Sequence, residues 1–147
     1  ADRMLSQEAM QRGWDCLARF SERLSGFDPN FVRAVATQTL REAKNRDEFL
    51  SHAEKLLGFP IEVISGREEA RLIYSGVVNL LPQSEEKRLV VDIGGRSTEI
   101  ILGKGFKPKI MESYRVGSVK WSMKYFADGK FSASSFDWAE VAAKSER

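Results

Sequence analysis

The segment Arg88-Leu-Val-Val-Asp-Ile-Gly-Gly-Arg-Ser-Thr-Glu-Ile-Ile-Leu-Gly103 decides how this chain folds. It begins with the apolar run Leu-Val-Val, which is typical of a buried strand. Gly94 and Gly95 interrupt the pattern, and a glycine pair between two apolar runs predicts a hairpin. In the second strand, side-chain alternation places Thr, Ile and Leu on one face and Glu99 with an isoleucine on the other. The segment therefore predicts a strand, a tight turn and a second strand.

The predicted turn carries polar groups whose chemistry suits an anion. Asp92 lies at the end of the first strand, and Ser97, Thr98 and Glu99 follow the glycines. A glycine turn lets backbone N–H groups approach an anion closely, and small hydroxyls add donors. A carboxylate beside such a turn suits a metal ion, or a water held for phosphate chemistry. The same pattern is also typical of an ordinary hairpin with solvated polar residues, and spacing alone does not decide between the two.

Composition places the chain among soluble globular proteins. Its 147 residues are enough for one domain, with 42% apolar and 30% charged residues. The net charge of +2 gives no indication of specific nucleic-acid binding. Cys16 is the only cysteine, which excludes an internal disulfide and suits the reducing cytoplasm. No apolar run approaches the ~20 residues of a membrane span, and no signal-peptide pattern is present, so we expect no membrane partner.

The positive charge is concentrated after the predicted hairpin. The segment from position 104 to position 130 contains seven basic residues and only two acidic ones, Glu112 and Asp128. The basic residues are Lys104, Lys107, Lys109, Arg115, Lys120, Lys124 and Lys130. Such a flank could attract a polyanion, and it is equally typical of a solvated lysine-rich face.

A helix that begins after Ser65 carries the candidate catalytic residue. Ser65 and Glu68 have the spacing of a capping box, and the helix is predicted to run to about Leu80. Glu69 lies at the head of a stripe that we expect to be the packed face. The other members of that stripe are Ile73, Gly76 and Leu80. A carboxylate there could act as a general base or orient a water, and it could equally be favoured by the helix dipole alone.

The other elements follow from the same signals. We predict a helix from Ser6 to Gly26, a strand over 31–36, and a helix over 45–57 that Asn45 and Glu48 cap together. Arg41 is predicted to lie on a helix surface, and His52 on the polar side of its helix, without a metal or catalytic role.

The elements after the hairpin are predicted to be shorter. A third strand is expected over about 106–114, a short helix from Gly117 or Ser118, and a last helix from about position 134. Val119, Met123 and Phe126 are predicted to lie in the core.

Four separated segments resemble the exopolyphosphatase / guanosine pentaphosphate phosphohydrolase (Ppx/GppA) family of the acetate kinase–sugar kinase–Hsp70–actin superfamily. They are VATQTLREAKN from Val35, ISGREEARLIYSGV from Ile64, DIGGRSTE from Asp92 and RVGSV from Arg115. Together they extend over nearly the whole chain. The resemblance implies an α/β fold, a ribonuclease-H-like (actin-like ATPase) lobe with a mixed sheet flanked by helices. It implies that residues 1–147 are most of the first lobe, without the N-terminal first phosphate loop and the second lobe.

The same resemblance implies a function. It indicates a hydrolase that removes terminal phosphate from inorganic polyphosphate or guanosine pentaphosphate, with Mg²⁺ as cofactor. Glu69 corresponds to the residue that activates the attacking water, and Asp92 and Glu99 would hold the metal. The phosphate oxygens would bind the loop residues Gly94, Gly95, Arg96, Ser97 and Thr98. The full-length form would be a cytoplasmic homodimer, and the 147 residues alone are expected to be inactive.

Arg96 is a departure from the family pattern, which has glycine at this position. If the position requires a left-handed backbone, a non-glycine residue costs about 1–2 kcal/mol. The long side chain would also obstruct the loop, although a guanidinium can bind phosphate through two hydrogen bonds. The departure motivates an alternative, a regulatory module that senses a nucleotide or polyphosphate without hydrolysing it. An ATP-dependent kinase or chaperone of the superfamily is a third possibility, which the Glu-Glu-Ala-Arg segment disfavours.

Overall fold

A computed structural model describes residues 3–146 of the chain. The chain divides after Ser65 into two compact units, described separately below. The first unit contains a short 3-10 helix at Pro29–Phe31 and five regular elements. These are α1 (Gln7–Leu24), β1 (Ala34–Ala36), α2 (Gln38–Glu42), α3 (Arg46–Leu57) and β2 (Ile61–Val63). The prediction that residues 1–147 are most of one lobe stays a prediction.

Helices α1 and α3 pack against each other in the first unit. The predicted cap at Ser6 is confirmed, since its side chain accepts a hydrogen bond from the Ala9 amide. Met10 of α1 and Ala53 of α3 are fully buried. Trp14 stacks on Phe49 with ring centroids 5.9 Å apart and donates to the Phe49 carbonyl at 3.1 Å.

The predicted capping pair of α3 is wrong. Asn45 precedes the helix but makes no capping hydrogen bond. Its side-chain amide instead pairs with the backbone of Leu5, accepting from the N–H at 2.8 Å and donating to the carbonyl at 3.0 Å. Glu48 accepts from the Gln7 side chain. Asn45 therefore joins α3 to the segment before α1 and Glu48 joins it to the first residue of α1, distant partners that a local pattern does not reveal. His52 is exposed, as predicted, and its ring meets the edge of Trp14.

Strands β1 and β2 form a parallel pair in which Ala34 aligns with Ile61 and Ala36 with Val63. The first strand is shorter than predicted, because the turn that begins at Asp28 continues into the 3-10 helix. Arg41 is half-buried in α2 rather than a surface residue. Its guanidinium donates to the Ile64 carbonyl at 2.8 Å, immediately after β2.

The second unit packs a helix against an antiparallel sheet. Its strands are ordered β3-β4-β5, with a register irregularity between Leu102 and Gly103. Its elements are α4 (Gly66–Leu80), β3 (Lys87–Ile93), β4 (Thr98–Lys104), β5 (Lys107–Tyr114), α5 (Ser118–Tyr125) and α6 (Ala133–Ser145). The predicted hairpin, the third strand and the helix opening at Gly117 are confirmed. Parallel and antiparallel pairing both occur, in separate sheets, and the predicted α/β class is confirmed.

The core of the second unit lies between α4 and one face of this sheet. It consists of Ala70, Tyr74, Val78 and Ile101, with Ile73, Val90 and Met111 packed around them. The packed face predicted to begin at Glu69 is therefore wrong by one position, because the buried residues of α4 are Ala70, Tyr74 and Val78. Gly76 and Leu80, which were expected to pack, are exposed, while Ile73 lies at the margin of the core. A helix face is selected by what covers it, and the spacing allowed either line.

Other predicted core residues lie at the surface. Leu89 and Val91 of β3 are exposed, because only Val90 of that run faces α4. Val119 and Met123 of α5 are exposed as well. Phe126 is half-buried and contacts two further phenylalanine rings, Phe131 and Phe136. Across residues 3–146, no helix combines the length and apolar character needed to cross a bilayer.

Candidate functional site

The candidate phosphate loop is the four-residue connection between β3 and β4. The register pairs Asp92 with Glu99 and Ile93 with Thr98, so the strands pair fully up to the turn. The amide of Gly94 donates to the carbonyl of Ser97 at 2.9 Å and closes the loop. The loop is thus a continuation of the hairpin, fixed at both ends by strand pairing.

The N-terminal turn of α5 holds the loop from one side. The Gly94 carbonyl accepts from the Ser118 amide at 2.9 Å, and the Gly95 carbonyl accepts from the Lys120 amide at 3.0 Å. In a planar trans peptide the N–H points opposite to the C=O. The amides of Gly95 and Arg96 therefore point away from α5. Two successive N–H groups turned to one side form an arrangement that can bind an anion.

Gly117 allows this close approach. A Cβ at this position would lie 2.4–2.5 Å from the backbone N, Cα and C atoms of Arg96, which is closer than any side chain tolerates. The residue caps α5 in an extended conformation with φ −147°, so its role is space and not a special backbone angle. The sequence indicated a helix start at Gly117, and it held no signal for this contact with the loop.

The loop side chains differ in their surroundings. Arg96 is exposed, and Arg3 is the only non-glycine residue with positive φ among residues 3–146. The left-handed strain considered for Arg96 is therefore absent. Ser97 is only 4% exposed. The Thr98 hydroxyl donates to the carbonyl of Val116 at 2.6 Å, which also links the hairpin to the segment before α5.

Asp92 and Glu99 lie side by side on the sheet face that packs against α4. Alternate residues of a strand share a face, so Glu99 lies on the same face as the buried Ile101, and Asp92 lies on the same face as Val90. Asp92 is exposed, whereas Glu99 is 1% exposed and accepts from the Ser113 hydroxyl at 2.7 Å. A carboxylate is costly to bury unless it is hydrogen-bonded or paired with a cation.

The two carboxylates fit a magnesium ion as a donor set. Magnesium in phosphate sites is held by one or two carboxylates, with waters and substrate oxygens completing six ligands. Asp92 and Glu99 provide two carboxylates in adjacent strands. No group of three or more His, Cys, Asp or Glu side chains suited to a metal ion occurs within the described part of the chain. The pair therefore suits a metal that also binds substrate, not a protein-only cage.

Glu68 and Glu69 lie in the first turn of α4 and have different surroundings. The guanidinium of Arg71 donates twice to the Glu68 carboxylate, each at 2.8 Å, and this hydrogen bonding raises the pKa of Arg71. Glu69 is half-buried, beside the buried Ala70. An ion pair of 3.7 Å between Arg67 and Glu112 places the start of α4 beside β5.

The direction of α4 brings its first turn toward the loop end of the sheet. At the other end, the Tyr74 hydroxyl donates to the Gly105 carbonyl at 2.9 Å, past the end of β4. Ala70, one turn earlier, packs with Ile101, which is closer to the loop along β4. The structure thus gathers Asp92, Glu99 and the loop on one hairpin, with the turn that carries Glu69 over the same sheet face.

Known proteins resemble this chain in sequence and in structure. A sequence model of the Ppx/GppA phosphatase family matches residues 1–146. The crystal structure of an exopolyphosphatase-like protein is 28% identical, with a TM-score of 0.90 over 98% of this chain and 46% of that protein. The Aquifex aeolicus PPX-GPPA enzyme is 32% identical, with a TM-score of 0.69 over 83% of this chain and 40% of that enzyme. An exopolyphosphatase from Cytophaga hutchinsonii is 31% identical, with a TM-score of 0.70 over 78% of this chain and 36% of that enzyme.

The chain spans less than half the length of these three solved proteins. The family match, in contrast, extends over almost all of this sequence. It includes all four segments on which the resemblance rests and every residue of the candidate site. The chain belongs to the Ppx/GppA phosphatase family.

Proposed function

We propose that the whole protein is a phosphoanhydride hydrolase that removes the terminal phosphate of inorganic polyphosphate or guanosine pentaphosphate. Family membership supports phosphatase chemistry, and two of the similar solved proteins are an exopolyphosphatase and an exopolyphosphatase-like protein. The observation that carries the proposal is the loop geometry. The carbonyls of Gly94 and Gly95 are bound by α5, so the adjoining amides are turned to the opposite side, where a phosphate can lie.

The loop would bind the phosphate in this proposal. Phosphoryl transfer needs chiefly positioning and neutralisation of charge on the phosphoryl oxygens. The amides of Gly95 and Arg96 would provide donors, and Ser97 adds a hydroxyl near the turn. The Gly94 amide, which the sequence also suggested as a phosphate donor, already donates to the Ser97 carbonyl and closes the loop instead. The Thr98 hydroxyl is already bonded to Val116, so Thr98 would act through its backbone and by holding the loop in place.

Asp92 and Glu99 would hold Mg²⁺. The ion would neutralise charge on the phosphate oxygens during transfer. Asp92 is exposed and can reach a hydrated ion directly. Glu99 is held by Ser113 and presents its carboxylate from the buried side. The two residues would therefore fix the position of the ion from adjacent strands.

Glu69 would orient and deprotonate the attacking water. It lies in the first turn of α4, at the edge of the packed face, and is half-buried. A positioned general base contributes about 10²–10⁴-fold to a rate. The alternative that the helix dipole merely favours a carboxylate at this position predicts almost no effect on turnover.

The decisive experiment compares two adjacent glutamates in the whole protein. We expect Glu69→Gln to lower kcat for phosphate release from polyphosphate at least ~100-fold with little change in melting temperature. Glu68→Gln is the matched control, because it makes the same chemical change one residue away. It weakens a partly exposed ion pair, which is worth about 1 kcal/mol or less, and should leave kcat nearly intact. Equal losses in the two variants, or a larger loss for Glu68→Gln, would contradict the role of Glu69.

The same protein serves to test the choice of substrate and the functional class, which is hydrolase, sensing module or kinase. Phosphate release from polyphosphate and from guanosine pentaphosphate, at one salt and magnesium concentration, measures the preference between them. Binding without release would support a sensing module, and ATP-dependent transfer to a small acceptor would support a kinase. We further propose a cytoplasmic homodimer. The single cysteine supports the compartment, and the dimer rests on the family resemblance.

A further inference from the structure

A basic cleft lies at the end of the β3-β4-β5 sheet opposite the phosphate loop. Its volume is about 390 Å³, within the range of small-molecule sites. Four cationic side chains line it together with one carboxylate, Glu85, and one aromatic ring, Phe106. The cations are Arg88, Lys104, Lys107 and Lys109. Three of them belong to the basic run noted in the sequence, and the proposed reaction uses none of the four.

The cleft is distinct from the loop site. Thr98 begins β4 beside the loop and Lys104 ends it beside the cleft, six residues further on. At ~3.3 Å per residue these positions are roughly 20 Å apart. A single phosphate bound by the loop therefore does not reach the cleft lysines, and the cleft would bind a different phosphate group.

The walls of the cleft are held in place by packing. The Tyr74 hydroxyl donates to the Gly105 carbonyl and fixes the turn between Lys104 and Lys107. Gly105 makes that turn with φ +54°. Tyr74 also fills the space over Gly103, where an added Cβ would lie 2.4 Å from its ring. A buried aromatic side chain thus supports the hairpin that presents the lysines.

The charges in the cleft are unbalanced. Glu85 lies 3.5 Å from the Lys104 ammonium and offsets one cation. Arg88 is half-buried and donates to the Pro82 carbonyl, a neutral group that orients its guanidinium. Lys107 and Lys109 both line the cleft from β5. Several close cations with a single acid favour a ligand with more than one negative charge.

We propose that this cleft binds an oligophosphate group. Lysine ammonium groups and a guanidinium are the side chains that bind phosphate oxygens, and three or four of them match two or three linked phosphates. The half-exposed ring of Phe106 at the rim offers a stacking surface for a base. The group could belong to an inorganic oligophosphate or to a nucleoside polyphosphate. The inference goes beyond the proposed hydrolysis and does not require it.

Titration of the whole protein followed by amide NMR tests this proposal, with tripolyphosphate as the ligand in one series and guanosine triphosphate in the other. We expect saturable shifts at residues 84–88 and 104–109, separate from any response of residues 94–98. The double variant Lys107→Gln/Lys109→Gln should weaken tripolyphosphate binding at the cleft about tenfold. The double variant Lys55→Gln/Lys130→Gln removes the same charge at exposed positions outside the cleft, and should bind as the unchanged chain does.

The two series also distinguish the two sources of phosphate. If Phe106 stacks on a base, Phe106→Ala weakens the binding of guanosine triphosphate but not that of tripolyphosphate. If Phe106→Ala and the unchanged chain bind guanosine triphosphate equally well, the cleft is assigned to inorganic oligophosphate. Shifts confined to residues 94–98 would overturn the proposal. Equal weakening by the two double-lysine variants would overturn it too, because it would show a general charge effect with no site.

Discussion

Replacement of Gly117 by alanine tests whether the phosphate loop depends on close packing against the start of α5. The added Cβ would lie 2.4–2.5 Å from three backbone atoms of Arg96. Because those atoms belong to the backbone, no side chain can rotate away, and the loop or the helix must move. Any such movement disturbs the hydrogen bonds from Ser118 to Gly94 and from Lys120 to Gly95.

The size of the effect follows from these contacts. Overpacking in a tight site costs about 1–3 kcal/mol, and each weakened backbone hydrogen bond about 0.5–1.5 kcal/mol. We expect Gly117→Ala to lower the free energy of unfolding of the 147-residue chain by about 2–6 kcal/mol, measured by urea denaturation with unchanged slope. Phosphate release by the whole protein should fall in parallel, since the loop is displaced.

Gly76→Ala is the matched control. Gly76 is an exposed residue within α4, and nothing lies within 4 Å of a Cβ added there. Alanine in a helix interior is favoured over glycine by about 0.5–1 kcal/mol, so this variant should be more stable. If Gly117→Ala unfolds at the same urea concentration as the unchanged chain, the loop tolerates the displacement and the packing argument is refuted.

Three further outcomes are expected. Arg96→Gly should raise kcat/KM for phosphate release by the whole protein, because it removes an obstructing side chain. It should lower the free energy of unfolding by up to about 1 kcal/mol, because φ is not positive at this position and glycine adds backbone freedom to the unfolded chain. A fall in kcat/KM would identify the guanidinium as a phosphate ligand. Asn45→Ala loses two hydrogen bonds to Leu5 and should destabilise the chain by about 1–3 kcal/mol in urea denaturation. Hydrogen bonding to Lys144 lowers the pKa of Glu140. The pairing therefore stabilises α6 at pH values above the pKa of Glu140 in the unfolded chain, and this stabilisation is lost as the pH falls through the pKa of Glu140 in the folded chain. Lys144→Gln should raise the midpoint of the Glu140 titration measured by NMR.

The hairpin and its loop could be predicted because their signals are local. A glycine pair between two apolar runs determines the turn, and a period of two determines which residues share a face. The strands, the alternation of Glu99 and Ile100 and the start of α5 at Gly117 are therefore as expected. Local signals do not show which element packs against each face of a strand. Leu89 and Val91 have the composition of a buried strand, yet only one face of β3 is covered by α4.

The capping errors have a related cause. Asn45 satisfies the local pattern of a helix cap, but its amide group finds both a donor and an acceptor on the backbone of Leu5, forty residues away. In α4, the stripe from Glu69 and the line from Ala70 are both compatible with helical spacing. The contact of Tyr74 with Gly103 and Gly105 shows which line packs. Long-range partners decided both cases, and a single sequence does not contain them.

The burial of the loop residues bears on the two interpretations that the loop sequence left open. An ordinary hairpin with solvated polar residues would expose Asp92, Arg96, Ser97 and Glu99 alike. Asp92 and Arg96 are exposed, but Ser97 and Glu99 are buried. A buried carboxylate opposes folding unless its interactions offset the lost hydration, and a glutamine of the same shape would avoid most of that cost. In the proposed magnesium site, the bound ion would offset the charge of Glu99, in addition to the hydrogen bond that Ser113 donates to its carboxylate.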